Sequence, residues 1–317
     1  MKNQKWIAAG IATALGAAAG VLAVRIYQHF RRDLAAAAQL VLSGSKVIPT
    51  RMGPVECAVH GSGNPVLLIH GAGGGYDQGL VMARLTNLNL QAISVSRFGY
   101  LRTPMPDNPD PASQADAYAA LLDELGVEKS AIMGISAGGP SALHFALRHP
   151  ERCSALVLMC AVTERMPLPY GLTIDKIRFL FSSEFAGWLL TNPLRPILLT
   201  AAGVSPDVYR NLSSEERDTV DEFVRSFPPI TPKLKGVLND AMQIPELADI
   251  PYEKIQAPAL IFHAADDPLV PVITAQRTAE RLSNAVLFEY PHGGHLLVGN
   301  HSTISSQVET FLQDNRV

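Results

Sequence analysis

The sequence Gly-Ile-Ser-Ala-Gly at residues 134–138 restricts the fold of this chain more than any other feature. It follows a short apolar run and precedes a helix-like segment, residues 140–148. A serine between two glycines at a strand-to-helix turn is typical of a nucleophile elbow, where the serine backbone is strained and larger neighbours would clash. The alternative is a glycine-rich turn with an ordinary capping serine.

Three other apolar runs lead into polar or glycine-rich sequence. Residues 66–69 precede the glycine-rich stretch 71–75, residues 259–262 precede two aspartates, and residues 285–290 precede two histidines. The glycine-rich stretch places bare backbone N–H groups at the end of a strand, where they can face a developing oxyanion. Serine, aspartate and histidine therefore follow one another along the chain, each after a predicted strand.

Apolar runs alternate with helix-like segments through most of the chain. This alternation predicts an α/β fold, a mostly parallel sheet with helices on both faces. The predicted strands lie near 55–59, 66–70, 91–95, 130–135, 155–160, 258–263 and 285–290, and the predicted helices near 78–87, 111–125, 137–148, 272–282 and 301–313.

On these motifs the chain resembles the α/β-hydrolase superfamily over roughly residues 46–317. The resemblance implies a core formed by residues 46–161 and 251–317, with residues 162–250 inserted as a helical cap over the active site. In that insertion, Ser213 and Glu216 form a predicted capping box that begins a helix. The apolar composition of the insertion favours a lipophilic acyl substrate.

The resemblance also implies a catalytic triad. Ser136 is the expected nucleophile and His295, which follows two glycines, the expected base. Asp267 precedes Pro-Leu-Val-Pro, as the triad acid does in such hydrolases, and is preferred to Asp266. His292 follows a proline and is expected on a surface loop.

The oxyanion hole is expected from two backbone N–H groups. Ala137 supplies one because it follows the nucleophile at a helix N-terminus. Ala72 supplies the other, with Gly73 as the alternative. Arg97 and His70 are expected to brace the neighbouring loops.

A serine nucleophile with these partners predicts a hydrolase of carboxylic esters, of the esterase or lipase kind, that uses no cofactor and no metal. The triad is equally compatible with a hydrolase of carbon–carbon bonds in meta-cleavage products. A ligand-binding protein that retains the fold without turnover is the third alternative. The formal net charge of −3 shows no basic patch for nucleic acid, and the three cysteines lack metal-ligand spacing.

The first 45 residues predict a membrane anchor. Residues 6–24 carry no charge and lie between basic residues, which predicts a single transmembrane helix. A cleavable signal peptide is the alternative, and cytoplasmic placement of the catalytic part is slightly favoured. Residues 29–42 are expected to form a separate juxtamembrane helix.

Small residues recur every four positions in the predicted anchor, at Ala8, Ala12, Gly16 and Gly20. Such a face permits close packing of two helices in lipid, and hence a homodimer through the anchor. The alternative is the ordinary composition of an alanine-rich helix.

Overall fold

The structure, a computed structural model, describes the backbone of residues 2–84 and 90–315 and the side chains of residues 15–83 and 90–315. Its centre is an eight-stranded sheet. The strands are β1 (Lys46–Thr50), β2 (Gly53–His60), β3 (Asn64–Ile69), β4 (Leu90–Val95), β5 (Ser130–Ile135), β6 (Cys153–Met159), β7 (Ala259–Ala264) and β8 (Ala285–Tyr290).

The strand order is β1-β2-β4-β3-β5-β6-β7-β8. At one edge β1 pairs antiparallel with β2, and β2 pairs antiparallel with β4. The remaining neighbours, from β4 and β3 across to β8, pair parallel. Every residue of β5 and β7 is buried, as expected for parallel strands covered on both faces. The prediction of a mostly parallel sheet is confirmed.

Helices cover both faces of the sheet. On one face, α3 (Pro111–Glu124), α4 (Gly139–Arg148) and α11 (Val272–Arg281) pack into one hydrophobic cluster. On the other, α2 (Tyr76–Arg84) and α12 (His301–Asp314) pack into a second cluster. Each of these helices was predicted, and the described ends differ from the predicted ends by a few residues at most. Residues 85–87 of the predicted helix 78–87 lie outside the described residues.

β1 was not predicted from the sequence. Its five residues pair antiparallel with β2, from Lys46 opposite Cys57 to Thr50 opposite Gly53. The strand is exposed along most of its length and contains Pro49, which is tolerated at the edge of a sheet. A short edge strand of this kind carries no alternating apolar pattern, so only the pairing partner reveals it.

The insertion between β6 and β7 is helical. Its helices are α5 (Ile174–Phe181), α6 (Glu184–Thr191), α7 (Arg195–Ala201), α8 (Pro206–Asn211), α9 (Ser214–Arg225) and α10 (Leu234–Gln243). One half of the predicted capping box is present, because the Ser213 hydroxyl accepts the Glu216 N–H at 3.2 Å and caps α9. The Glu216 carboxylate accepts the Ser213 hydroxyl and the Gly299 N–H in place of the Ser213 N–H. We call residues 162–250 the cap segment.

The N-terminal segment forms one helix, α1 (Lys2–Ser43), and the prediction of a separate helix at 29–42 is wrong. No glycine or proline interrupts the chain between Gly20 and Gly44, so nothing breaks the helix there. The predicted transmembrane helix is not supported. Residues 6–14 of it lie outside the described side chains, and among the residues described no helix has the length and apolar character needed to cross a membrane.

The C-terminal half of α1 packs on the cap segment. The ring of Phe30 lies 5.2 Å from that of Phe185 and 6.0 Å from that of Trp188, both on α6. The Trp188 indole N–H donates to the Asp33 carboxylate at 3.0 Å. Phe30 is therefore buried, although residues 15–27 of the same helix are exposed.

We predict that Phe30→Ala lowers the free energy of unfolding by roughly 3 kcal/mol, because it removes an aromatic side chain buried against two others. Tyr27→Ala is the matched control on the same helix. Tyr27 is 56% exposed, so its loss should change stability by only about 0.5 kcal/mol. Urea denaturation followed by tryptophan fluorescence measures both. Equal effects of the two substitutions would show that α1 is not docked on α6.

Candidate active site

Ser136 has the strained backbone of a nucleophile elbow. Its φ is +50°, in the left-handed region, between the end of β5 and the start of α4. A Cβ at position 134 would lie 2.6 Å from the Ala142 Cβ, and one at Gly138 would lie 2.5 Å from the Ile69 carbonyl oxygen. The two glycines are therefore required by the packing around the serine, as the sequence indicated.

The structure brings His295 and Asp267 together. The imidazole Nδ1 lies 2.8 Å from Asp267 Oδ2, and the Asp267 side chain is fully buried. The other carboxylate oxygen, Oδ1, accepts the backbone N–H groups of Leu269 and Val270 at 2.8 and 3.1 Å.

These contacts keep the buried acid ionised. Burial alone would raise the pKa of Asp267, but the nearby charge of His295 and the hydrogen bonds that the carboxylate accepts outweigh it. The pKa of Asp267 is therefore well below its usual value. Because the ionised Asp267 carboxylate lies beside Nδ1, it holds the imidazole with its other nitrogen, Nε2, directed away from Asp267.

Asp266 and His292 lie outside this arrangement. Asp266 accepts the backbone N–H of Gly294 at 2.8 Å, and so supports the loop that carries His295. The His292 side chain is 89% exposed and lies 3.5 Å from the Asp266 carboxylate. Asp266 therefore holds the histidine loop in place without contact to the imidazole of His295.

The two candidate oxyanion donors differ in their present partners. The Gly73 N–H donates to the Tyr100 hydroxyl at 3.4 Å. Within the part of the chain that the structure describes, the Ala72 N–H has no hydrogen-bond acceptor, and Ala72 lines the same cavity as Ser136. This geometry favours Ala72, with Ala137 directly after the nucleophile as the second donor.

A buried ion pair connects this loop to the cap segment. Arg97 donates to both oxygens of Asp240 on α10, at 2.8 and 2.5 Å, and to the Ala137 carbonyl at 2.9 Å. The Tyr100 hydroxyl donates to Asp240 at 2.5 Å while it accepts the Gly73 N–H. Arg97 thus braces the elbow and the glycine-rich loop after β3. No local motif indicates that its partner is Asp240, 143 residues away.

His70 is a second brace. Its Nδ1 lies 2.7 Å from the Gly71 carbonyl and its Nε2 accepts the Arg97 N–H at 3.0 Å. Burial, together with the charge of Arg97, lowers the pKa of His70 well below its ordinary value. A neutral imidazole that satisfies two backbone groups fits the predicted structural role.

The cap segment also contacts the loop that carries His295. The backbone N–H of His295 donates to the Ala202 carbonyl, just after the end of α7, at 2.8 Å. A Cβ at Gly203 would lie 2.7 Å from the Gly294 Cα, and both glycines have positive φ. This close approach of two loops positions the His295 backbone and was not predicted.

Ser136 and His295 line one cavity of about 100 Å³. Among the described residues no hydrogen bond joins their side chains. The hydrogen bond between a nucleophile and its base commonly forms with good geometry only when substrate binds. The remaining lining residues are mainly apolar, and they include Met82 and Met159 from the core and Phe223 and Phe227 from the cap segment.

Beside Asp267 lies a cluster of side chains that the spacing of residues in the sequence does not indicate. Ligand-type atoms of Cys160, His263 and Asp267 lie within 4.8 Å of one another, and all three residues are buried. A thiol, an imidazole and a carboxylate are donors that transition metals accept. Cys57 and Cys153 are elsewhere in the core, and all three cysteines are free thiols.

Comparison with known proteins agrees with this geometry. A family model described as the alpha/beta hydrolase fold matches residues 64–302. One relative is the 2-hydroxymuconate semialdehyde hydrolase of Pseudomonas putida, which is 28% identical over 268 residues, 80% of this chain and 89% of that protein.

Solved structures show the same likeness. An alpha/beta hydrolase fold protein from Nakamurella multipartita is 27% identical with a TM-score of 0.72, covering 84% of this chain and 98% of its own. An esterase from Exiguobacterium antarcticum is 21% identical with a TM-score of 0.61, covering 86% and 99%. A membrane phospholipase A, a bacterial virulence factor, is 20% identical with a TM-score of 0.63 and covers 98% and 99%, so its likeness extends over α1. Because the family model matches residues 64–302, most of this chain, the chain belongs to the α/β-hydrolase fold family.

Proposed function

We propose that this hydrolase is a serine esterase that cleaves carboxylic esters of lipophilic small molecules through an acyl-enzyme. One observation carries the proposal. Ser136 stands in a strained elbow and faces the same cavity as His295, whose other ring nitrogen is bound to a buried carboxylate. A serine hydroxyl is a weak nucleophile until a base within reach accepts its proton, and this arrangement supplies that base.

Acylation begins when His295 Nε2 accepts the Ser136 proton and Oγ attacks the ester carbonyl carbon. Asp267 stabilises the imidazolium that forms without taking its proton. The carbonyl electron pair moves to oxygen, and the N–H groups of Ala72 and Ala137 bind the resulting oxyanion. When the tetrahedral intermediate collapses, the imidazolium protonates the leaving alcohol, and the acyl group stays on Ser136.

Deacylation repeats these steps with water. His295 accepts a proton from the attacking water, the same two N–H groups bind the second oxyanion, and the Ser136 oxygen leaves with the proton returned by His295. The carboxylic acid is released and the triad is restored. Every proton in the cycle passes through one imidazole, so its fixed orientation by Asp267 is required in both halves.

The cavity favours an uncharged acyl group. No lysine or arginine is among the described residues that line it, and the charge of nearby Arg97 is neutralised by Asp240. Phe223, Phe227 and the two methionines offer apolar contact instead. A substrate that places a carboxylate in this cavity would leave an unpaired buried charge, which is strongly unfavourable.

Carbon–carbon bond hydrolysis is the second candidate, supported by the similarity to 2-hydroxymuconate semialdehyde hydrolase. That substrate carries a carboxylate, for which the lining of this cavity offers no cationic partner among the described residues.

The ester proposal does not depend on α1. A homodimer through Gly16 and Gly20 stays a prediction, and both positions are open, with nothing within 4 Å of a Cβ built there.

We predict that Ser136→Ala leaves a folded protein that neither turns over esters nor reacts with a fluorophosphonate probe, because the nucleophilic oxygen is gone. Circular dichroism checks the fold, and fluorescence of the labelled band measures the reaction. Cys160 and the other free thiols serve as internal controls, since the probe should leave them unmodified. Labelling that persists in the variant would place the nucleophile elsewhere, and a folded wild type that is never labelled would favour a ligand-binding protein.

We predict that Asp267→Asn lowers kcat by on the order of 10⁴, because an amide N–H opposite Nδ1 selects the wrong imidazole tautomer. Asp266→Asn is the matched control. Its remaining side-chain oxygen can still accept the Gly294 N–H, so the loss should stay within about tenfold. Steady-state rates on one ester compare the two, and a larger loss at position 266 would exchange their roles.

Product analysis separates the two candidate reactions. Given uncharged acyl esters of graded chain length and a vinylogous 1,5-diketone acid, the enzyme should hydrolyse the esters with the higher kcat/KM, because the cavity has no partner for the carboxylate of the diketone. A reversed preference would establish the carbon–carbon bond reaction.

A further inference from the structure

A second histidine lies behind the triad acid. His263, near the end of β7, is fully buried, and its Nε2 lies 3.4 Å from Asp267 Oδ2. This is the same oxygen that lies 2.8 Å from His295 Nδ1. One carboxylate oxygen therefore faces two imidazoles, of which only His295 reaches the cavity of Ser136.

The neighbours of His263 define where its hydrogen lies. Nε2 is 2.9 Å from the Val270 carbonyl oxygen, which can only accept a hydrogen bond. Nδ1 is buried and, among the residues that the structure describes, has no hydrogen-bond partner. A hydrogen on Nδ1 would be a buried donor without an acceptor, so the network assigns the hydrogen to Nε2.

The Nε2–H of His263 consequently has two acceptors, the Val270 carbonyl and Asp267 Oδ2. The first contact holds the residues that wrap the carboxylate, since the Val270 and Leu269 N–H groups donate to the other oxygen. The second contact partly neutralises the negative charge that Oδ2 presents to His295. Both effects act on the reacting serine only through Asp267 and His295.

We propose that His263 is a positioning residue of the triad, which limits the share of the Asp267 charge available to His295 and so sets the pH at which Ser136 becomes reactive. This proposal rests on the proposed serine-hydrolase function. Burial raises the pKa of Asp267, and the causes that lower it are led by the charge of His295, followed by the hydrogen bond from His263.

Other groups around His295 act in the background. Cys160, at the end of β6, lies within 4.8 Å of both His263 and Asp267, and burial raises the pKa of its thiol. The loop of His295 is held by two further carboxylates and one carbonyl, and Ser136 faces it across the cavity. The Asp266 and Glu216 carboxylates accept the backbone N–H groups of Gly294 and Gly299. The Ala202 carbonyl accepts the backbone N–H of His295.

The test compares His263→Phe, which keeps a buried ring without the donor, with His263→Gln, whose amide N–H can replace Nε2–H. The readout is the rate of fluorophosphonate labelling of Ser136 from about pH 5 to pH 9, which spans the ordinary range of a histidine. Labelling needs no knowledge of the natural substrate. Thermal denaturation of each variant records its stability separately.

With the donor removed, Oδ2 interacts more strongly with His295 and stabilises its imidazolium. The acid limb of the labelling profile should then move to higher pH in His263→Phe by about half a pH unit, the equivalent of one weak hydrogen bond. His263→Gln should keep the wild-type limb. On an ester, His263→Phe should lower kcat on the order of tenfold while KM stays within about twofold, since the substrate does not contact position 263.

An unchanged acid limb in a folded His263→Phe overturns the positioning role, whatever the loss of rate, because a packing defect alone would not move it. A limb that moves equally in His263→Gln also overturns it. If the phenylalanine variant fails to fold, His263→Met supplies a second donor-free side chain that adapts to irregular space. A wild type that is not labelled at any pH overturns the proposed function, and this proposal with it.

Discussion

The left-handed backbone of Ser136 is the constraint on which the site depends. A non-glycine residue in this region costs about 1 to 3 kcal/mol and persists only where surrounding packing determines it. Here the packing comes from β5 at the centre of the sheet and from the glycines at 134 and 138, where any side chain would collide with α4 or with the end of β3. The strain presents the hydroxyl to the cavity and leaves the following N–H free to meet an oxyanion.

The cap segment contributes to the active site as well as covering it. Asp240 holds Arg97, which in turn holds the carbonyl of Ala137, and the Ala202 carbonyl holds the backbone of His295. Breaking a buried ion pair such as Arg97–Asp240 typically costs about 3 to 5 kcal/mol, because one charge is left without a partner. The loops of Ser136 and His295 are therefore both positioned by contacts that cross between the core and the cap segment.

Much of the core and the site could be predicted from the sequence. The buried strands β5 and β7 are apolar runs ended by turn residues, because parallel strands covered on both faces leave that pattern. The edge strand β8 is only partly buried, and it too was predicted with its observed ends. Asp267 and His295 were preferred to their neighbours on local motifs, and the structure places these two side chains together. Local sequence decides such features, since each depends on residues a few positions apart.

The features that were missed depend on contacts between distant segments. Asp240 has no local motif that marks it as the partner of Arg97, and β1 is visible only through its pairing with β2. The part of α1 that packs on α6 lies beyond the apolar segment 6–24, at Phe30 and Asp33, and no local pattern marks those two residues as contacts of Phe185 and Trp188.

In the proposed mechanism Ser136 carries the acyl group during turnover. The most direct measurement is to quench the wild-type protein with acid while it hydrolyses a p-nitrophenyl ester and to map the acyl mass increment by peptide mass spectrometry. We expect the increment on the peptide that contains Ser136 and on that residue within it. Turnover with no acyl group at Ser136, or with the group on another residue, would contradict it.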